Sequence, residues 1–180
     1  TSSSDLPGFD YQNALAQGDL DVVIGNWPTP PDNLHLSTLI EDEVVCVVGR
    51  EHPLARKGIN VEQYLRAAHI VPMPYSVAHR GVVDTHLASL NLSRSATVVL
   101  PYFSMALYLL PGTDLVFTTS RHFARHFAKF LPLEILPPPF EFPRMRFYQL
   151  WHERTHQVDS HRWLRTLLGA VGKRLLDEDR

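Results

Sequence analysis

Met145-Arg-Phe-Tyr-Gln-Leu-Trp-His-Glu-Arg-Thr-His156 is the stretch on which the reading of this chain turns. It contains His152-Glu153-x-x-His156, the spacing with which zinc peptidases hold their metal. Two imidazoles four residues apart reach one ion only on a helix, where i and i+4 share a face. The Glu between them then activates the metal-bound water. The residues ahead of His152 do not read as helix. Met145, Phe147, Gln149 and Trp151 alternate with Arg146, Tyr148 and Leu150, and nearly all are aromatic or aliphatic, as in a strand buried on both faces. Beyond His156, Asp159-Ser160 offers a helix N-cap, and Trp163, Leu164, Leu167, Leu168, Val171 and Leu175 recur at helical spacing. The motif therefore falls between a strand and a capped helix. No convincing third ligand follows, since Glu178 lies in a charged tail, so a zinc hydrolase is the minor reading.

A chain of 180 residues, 44% hydrophobic and 20% charged, is long enough to bury a core as one domain or two small ones. Its net charge of −2 gives no basic footprint for nucleic acid. The longest apolar runs, such as Val44–Val48, are too short to span a bilayer, so no membrane contact is expected. A single cysteine, Cys46, rules out an internal disulfide and fits a cytoplasmic location. There is no initiator Met and no signal peptide, and Thr1-Ser-Ser-Ser reads as the start of a fragment. No Gly-rich phosphate loop, Gly-x-Ser-x-Gly elbow or paired catalytic carboxylates appear, and no cofactor is expected. His122 and His126 also stand four apart, but without an accompanying carboxylate or Cys they read as a solvated helix face.

Along the chain, Tyr11–Gln17 reads as a short helix closed by Gly18, and Leu20–Gly25 as a buried strand ahead of the Pro-rich loop Asn26–Pro31. Val44–Val48, His69–Pro72, Thr97–Leu100, Asp114–Thr118 and Leu133–Leu136 read as further strands. Helices are predicted around Val61–Ala68, Val83–Leu90, Tyr102–Leu110 and from Ser120, with Phe123, Phe127 and Phe130 on one face. This alternation predicts an α/β fold with largely parallel sheets. Pro-interrupted passages at Val71–Pro74 and Pro137–Pro143 suit crossings between domains better than sheet interiors. Two lobes are thus expected, residues 1–70 with 144–180 and residues 71–143, with a ligand cleft between them.

Three passages together resemble one family. Ala16-Gln-Gly-Asp-Leu-Asp-Val-Val-Ile-Gly25 resembles the helix–Gly-x-Leu-Asp–hydrophobic–Gly signature of the effector-binding domains of LysR-type transcriptional regulators. Leu39-Ile-x-Asp-Glu-Val-Val-Cys-Val-Val48 and His52-Pro-Leu-Ala55 match the family's next strand and turn. Leu150-Trp-His, His156, Asp159 and Trp163-Leu-Arg165 look like the subgroup of nodulation regulators and sensors of aromatic compounds. The resemblance covers nearly the whole chain and implies two Rossmann-like lobes of the periplasmic-binding-protein type II kind, joined by two crossover segments. It also implies a small aromatic or carboxylated effector between the lobes and assembly as a homodimer or homotetramer. DNA contact would come only through an N-terminal helix-turn-helix that this chain does not contain. The family's lobe opens with a strand, helix and strand for which there are too few residues ahead of Tyr11. A solute-binding protein for a transporter would share the fold and is the main rival.

The resemblance carries His79, in Ser76-Val-Ala-His-Arg-Gly81, onto a polar effector-contacting position, where amides at a helix start suit a carboxylate or phenolate. Tyr102 and Phe103 follow Pro101 where the subgroup often has His-Phe. Tyr keeps a hydrogen-bonding tip without the titratable charge, and Phe103 suits either core packing or ligand stacking. Thr118, at a predicted strand end, and Trp27, after the strand ending at Gly25, are further candidates for the site mouth. Tyr148 and Leu150 share one face of the closing strand and face either the ligand or the core.

Overall fold

The computed structural model describes residues 10–73 and 81–177. Its elements run α1 (Tyr11–Gln17), β1 (Val23–Gly25), β2 (His35–Asp42), β3 (Val44–Gly49), α2 (Val61–Arg66), β4 (Ala68–Pro72), α3 (Val82–Ser89) and β5 (Ala96–Leu100). They continue with α4 (Met105–Tyr108), β6 (Leu115–Ser120), α5 (Arg121–Ala128), β7 (Leu133–Leu136), β8 (Met145–Trp151), a 3-10 turn at Glu153–Thr155 and α6 (Asp159–Asp177). Residues 10–40 with 146–177 form one compact unit, and residues 41–73 with 81–145 form another. The division differs from the expected lobes. β3 is hydrogen-bonded to both β6 and β7, and β4 to both β5 and β6, so residues 41–70 cannot be held apart from 71–143.

In the first unit a three-stranded sheet has the order β1-β8-β2. β1 pairs antiparallel with β8, Val23 opposite Leu150 and Gly25 opposite Tyr148. α1 covers one face. The Asp10 carboxylate accepts the Asn13 N–H at 3.0 Å to start it. Gly18 ends it at φ 91°, its N–H returning to the Ala14 carbonyl. The Arg154 guanidinium occupies the space a side chain on Gly18 would need, so glycine is required there twice over. Leu15, Trp27, Leu34 and Leu150 form the core, with Tyr11, Leu20, Val23 and Tyr148 packed around it. On the sheet's other face Gln149 donates to Ser37 at 2.8 Å and to the Arg165 carbonyl of α6 at 3.2 Å. Farther along α6, the Leu39 carbonyl oxygen lies 2.6 Å from where a Cβ on Gly172 would stand. Only a glycine lets helix and strand approach so closely.

The second unit is built on a five-stranded sheet in the order β5-β4-β6-β3-β7. β4 runs parallel to β5 and β6, whereas β3 is antiparallel to β6 and β7. The sheet is therefore mixed. The parallel pairs arise where a helix carries the chain back, through α3 and α4, between successive strands. β3, central and flanked on both sides, is buried at every position, as its unbroken apolar run requires. Alternation sorts it into two faces. Val45 and Val47 join Ile70, Phe117, Leu107 and Leu110 in an apolar core. Cys46 lies on the opposite face, opposite Thr118.

α4 spans only Met105–Tyr108, where a helix over Tyr102–Leu110 was expected. Thr113 explains the early stop at one end, its hydroxyl donating to the carbonyls of Leu109 and Leu110. In the His52-Pro-Leu-Ala55 turn, the His52 ring accepts the Leu54 N–H and donates to the Asp114 carbonyl, pinning the turn to the strand entry of β6. β2 has no counterpart among the predicted strands. Its half-exposed alternation, without an unbroken apolar run, gave a weak signal.

Candidate functional site

β4, β5 and β6 run the same way, so their carboxyl ends lie along one edge of the sheet, where open α/β sheets take ligands. The Met73 N–H donates to the Leu100 carbonyl at 2.7 Å, holding the first two ends together. Met73 and Tyr102, just past those ends, are both exposed, Tyr102 at 67%. At the third end, Ser120 begins α5 without a side-chain cap. The Asp42 carboxylate serves instead, accepting N–H donors from His122 at 2.6 Å and Glu43 at 2.8 Å. Glu43 in turn pairs with Arg121 at 2.7 Å and stands 4.0 Å from Arg144.

Among the expected site residues, Tyr102 alone is placed openly on this edge. His79 lies outside the described residues. Phe103 turns inward, its ring 5.2 Å from Phe117 and 4.9 Å from Phe123. Thr118 is not at a strand end, because β6 continues to Ser120. It is 97% removed from solvent, at 3% exposure, and its hydroxyl meets the Tyr64 hydroxyl at 2.8 Å. Phe103 packs with the apolar core while Thr118 faces the other side of the sheet, so the two are not brought together. Trp27, Tyr148 and Leu150 are brought together, in the core of the first unit.

Behind the sheet edge lies a buried polar network that the sequence did not announce. Arg94 donates to the Asp84 carboxylate at 2.7 and 3.2 Å and reaches toward the Tyr64 hydroxyl. The Tyr64 ring packs at 4.6 Å on His69 and edge-on to Phe140. His69 donates through Nε2 to the Tyr64 carbonyl at 2.6 Å, while its Nδ1 has no hydrogen-bond partner among the described residues. Burial pushes the Cys46 thiol and the Tyr64 phenol up to about 12, so both stay neutral and unreactive. A hint was available in Asp84 and Arg94, two charges bracketing a helix end. The spacing of ten residues alone does not say that either is buried.

His69 titrates in a telling direction. Burial pushes it down to about 4 from an ordinary 6.5, because the buried ring cannot solvate a charge. The folded state therefore resists protonation and the unfolded state does not. Stability from this group is complete above 6.5 and drains as pH falls toward 4. Between pH 7.5 and 5 the chain should lose about 2 kcal/mol from this residue. Urea denaturation at both pH values, for the wild type and His69→Leu, checks it. A slope equal in the two proteins would refute the assignment.

His152-Glu153-x-x-His156 is not on a helix. His152 caps the 3-10 turn, its Nδ1 accepting the Arg154 N–H. Glu153 pairs with His35, which holds its carboxyl below the usual carboxylate range. His156 Nδ1 accepts the Trp151 indole N–H at 3.1 Å, beneath the His35 ring stacked at 4.0 Å. Arg165 covers Trp151 at 4.6 Å and donates to the carbonyls of Thr155 and His156. Each group of the motif thus has its own partner within a packed corner between β8 and α6. Among the described residues, no three His, Cys, Asp or Glu side chains gather so as to hold a metal ion.

The chain is similar to known proteins over this whole span. It is 30% identical over 157 residues to the HTH-type transcriptional regulator SyrM of Rhizobium meliloti (strain 1021), covering 87% of this chain and 48% of the relative. It is 26% identical over 160 residues to the HTH-type transcriptional activator NahR of Pseudomonas putida, covering 89% and 53%. The chain thus spans about half the length of the curated relatives it matches. Among solved structures, a probable transcriptional regulator from Pseudomonas aeruginosa superposes with TM-score 0.76 at 32% identity, over 87% of this chain and 51% of that one. The effector binding domain of QuiR in complex with shikimate shares the fold, with TM-score 0.70 at 15% identity over 91% of this chain and 77% of that one. The LysR substrate binding domain family matches residues 7–173, and with the mixed α/β units and the sheet edge described above, the chain belongs to that family.

Proposed function

We propose that this chain is the effector-sensing part of a LysR-type transcriptional regulator and that it binds a small aromatic or carboxylated molecule to control transcription. The observation that carries the reading is the shared edge formed by the carboxyl ends of β4, β5 and β6, with the Tyr102 side chain exposed beside it. A phenol there offers a flat apolar face and a hydroxyl that donates or accepts, the pair of features a ring-bearing acid needs. His79 is proposed as a second polar contact. Thr118, sealed beneath the edge, would act on the ligand through Tyr64 packing rather than by touch. Phe103 serves as core of the second unit, and Trp27, Tyr148 and Leu150 as core of the first.

The similar regulators SyrM and NahR support the regulator reading, and the shikimate in the QuiR structure is an alicyclic carboxylic acid. No bond needs to be made or broken. An effector that binds one conformation better than another shifts their populations by its differential affinity, and nothing more is required. With net charge −2, contact with DNA is assigned to a helix-turn-helix elsewhere in the parent protein, which works as a homodimer or homotetramer.

A thermal-shift screen of benzoates, salicylates, shikimate-like acids and phenols tests this. A ligand at a hundred times its Kd should add about 2.7 kcal/mol of stability. That gain should shrink in Tyr102→Ala and in His79→Ala. A gain undiminished in both would remove the site from this edge.

A further inference from the structure

α5 repeats itself. Arg-His-Phe-Ala is written twice, at residues 121–124 and 125–128, and Lys129-Phe130 follows in the same pattern of a cation and an aromatic residue. In a helix a period of four lays residues of one kind along one row. The Phe and Ala rows turn inward: Ala124 is fully buried in the second unit's apolar core, and Phe123 and Phe127 pack against it. The row Arg121, Arg125 and Lys129 is exposed throughout, with successive residues roughly 6 Å apart along the axis. Lys129 continues the helical backbone at φ −70°, and the Phe130 N–H returns to the Phe127 carbonyl at 3.0 Å. Phe130 is 73% exposed, its ring 5.6 Å from that of His126. Tyr108, at 63%, stands edge-on to Phe127 and brings a second exposed ring to the same helix.

We propose that this face of α5 is a docking surface for an acidic polypeptide segment that carries an apolar anchor. Charge complementarity makes the choice. No Asp or Glu falls between Leu115 and Leu133, in a chain whose net charge is −2, so the row is basic against an acidic background. Glu43 shows what the row accepts, its carboxylate meeting Arg121 at 2.7 Å. Both groups of that pair are about half exposed, so an incoming carboxylate exchanges for Glu43 at little cost. Glutamates four residues apart on a partner helix repeat at the same spacing as the row, roughly 6 Å. Phe130 and Tyr108 then call for apolar side chains, as exposed rings at an interaction surface do. A duplex keeps its bases stacked behind its phosphates, and three cations in one short line are few for it. Nothing in this proposal depends on the identity of the effector.

A labelled helical peptide, with glutamates four residues apart on one face and a leucine beside the last of them, tests this by fluorescence anisotropy on the whole chain. It should bind, and its counterpart with glutamine for every glutamate should bind about tenfold more weakly. Raising the salt should weaken the acidic peptide and leave the glutamine one nearly unmoved. Phe130→Ser should weaken the acidic peptide, but not a version with serine in place of its leucine. Arg125→Glu with Lys129→Glu should lose the acidic peptide and gain one carrying lysine for glutamate, a switch that an unfolded chain cannot make. An acidic peptide bound no better than its glutamine counterpart, or binding indifferent to the charge reversal or to Phe130→Ser, would overturn the proposal. So would duplex DNA held more tightly than the peptide at the same salt, or self-association of the chain that the charge reversal abolishes, since each gives the face to another occupant.

Discussion

Asp84→Ala should lower the unfolding free energy by about 3 kcal/mol, toward the lower end of the range for breaking a buried ion pair because Asp84 is partly exposed. Arg94 is the reason. Its side chain is 2% exposed against 28% for Asp84, and the carboxylate supplies two of its hydrogen bonds. Removing the carboxylate leaves a buried guanidinium whose remaining hydrogen-bond acceptor among the described residues is the Tyr64 hydroxyl, 3.5 Å away. The loss should appear as a lower urea midpoint with an unchanged slope. Asp84→Leu combined with Arg94→Met should recover most of it, because the cost lies in the uncompensated charge and not in the missing contact. If Asp84→Ala unfolds within about 1 kcal/mol of the wild type, Arg94 has found water and the network is not the closed structure described above.

The other large effect is expected at Phe117. This ring is fully buried at the centre of the second unit's apolar core, with the Phe103 ring edge-on to it. Phe117→Ala should cost about 3–5 kcal/mol, the lost transfer of the ring plus the cavity it leaves. The neighbours are poorly placed to collapse into the gap. Leu107 is held on the short α4 and Leu110 in the turn just after it, and Val45 and Val47 are fixed by hydrogen bonds on both sides of β3. Phe103→Ala, with a half-buried ring at the margin, should cost less. A reversed order would mean that Phe103, rather than Phe117, anchors this core, and chemical denaturation of the two variants decides it.

What could be read from sequence alone was local. α1 with its Gly18 stop, β7, β8 and the apolar run of β3 came out with the bounds or the character expected, because each is dictated by side chains within a few residues of one another. The same locality kept His152-Glu153-x-x-His156 from being taken for a metal helix, since Met145–Trp151 alternates with a period of two. The family and the fold class followed from several such passages in a fixed order.

Tertiary structure alone decided which unit β3 joins, since its partners β6 and β7 lie far along the chain. It turned Phe103 into the core and sealed Thr118 under Tyr64, a partner 54 residues away. It also gathered Arg94, Asp84 and His69 into one buried network. A polar residue looks the same in sequence whether solvated or buried. Its role is fixed by which distant atoms come within hydrogen-bonding reach, and by the desolvation that makes each such partner obligatory.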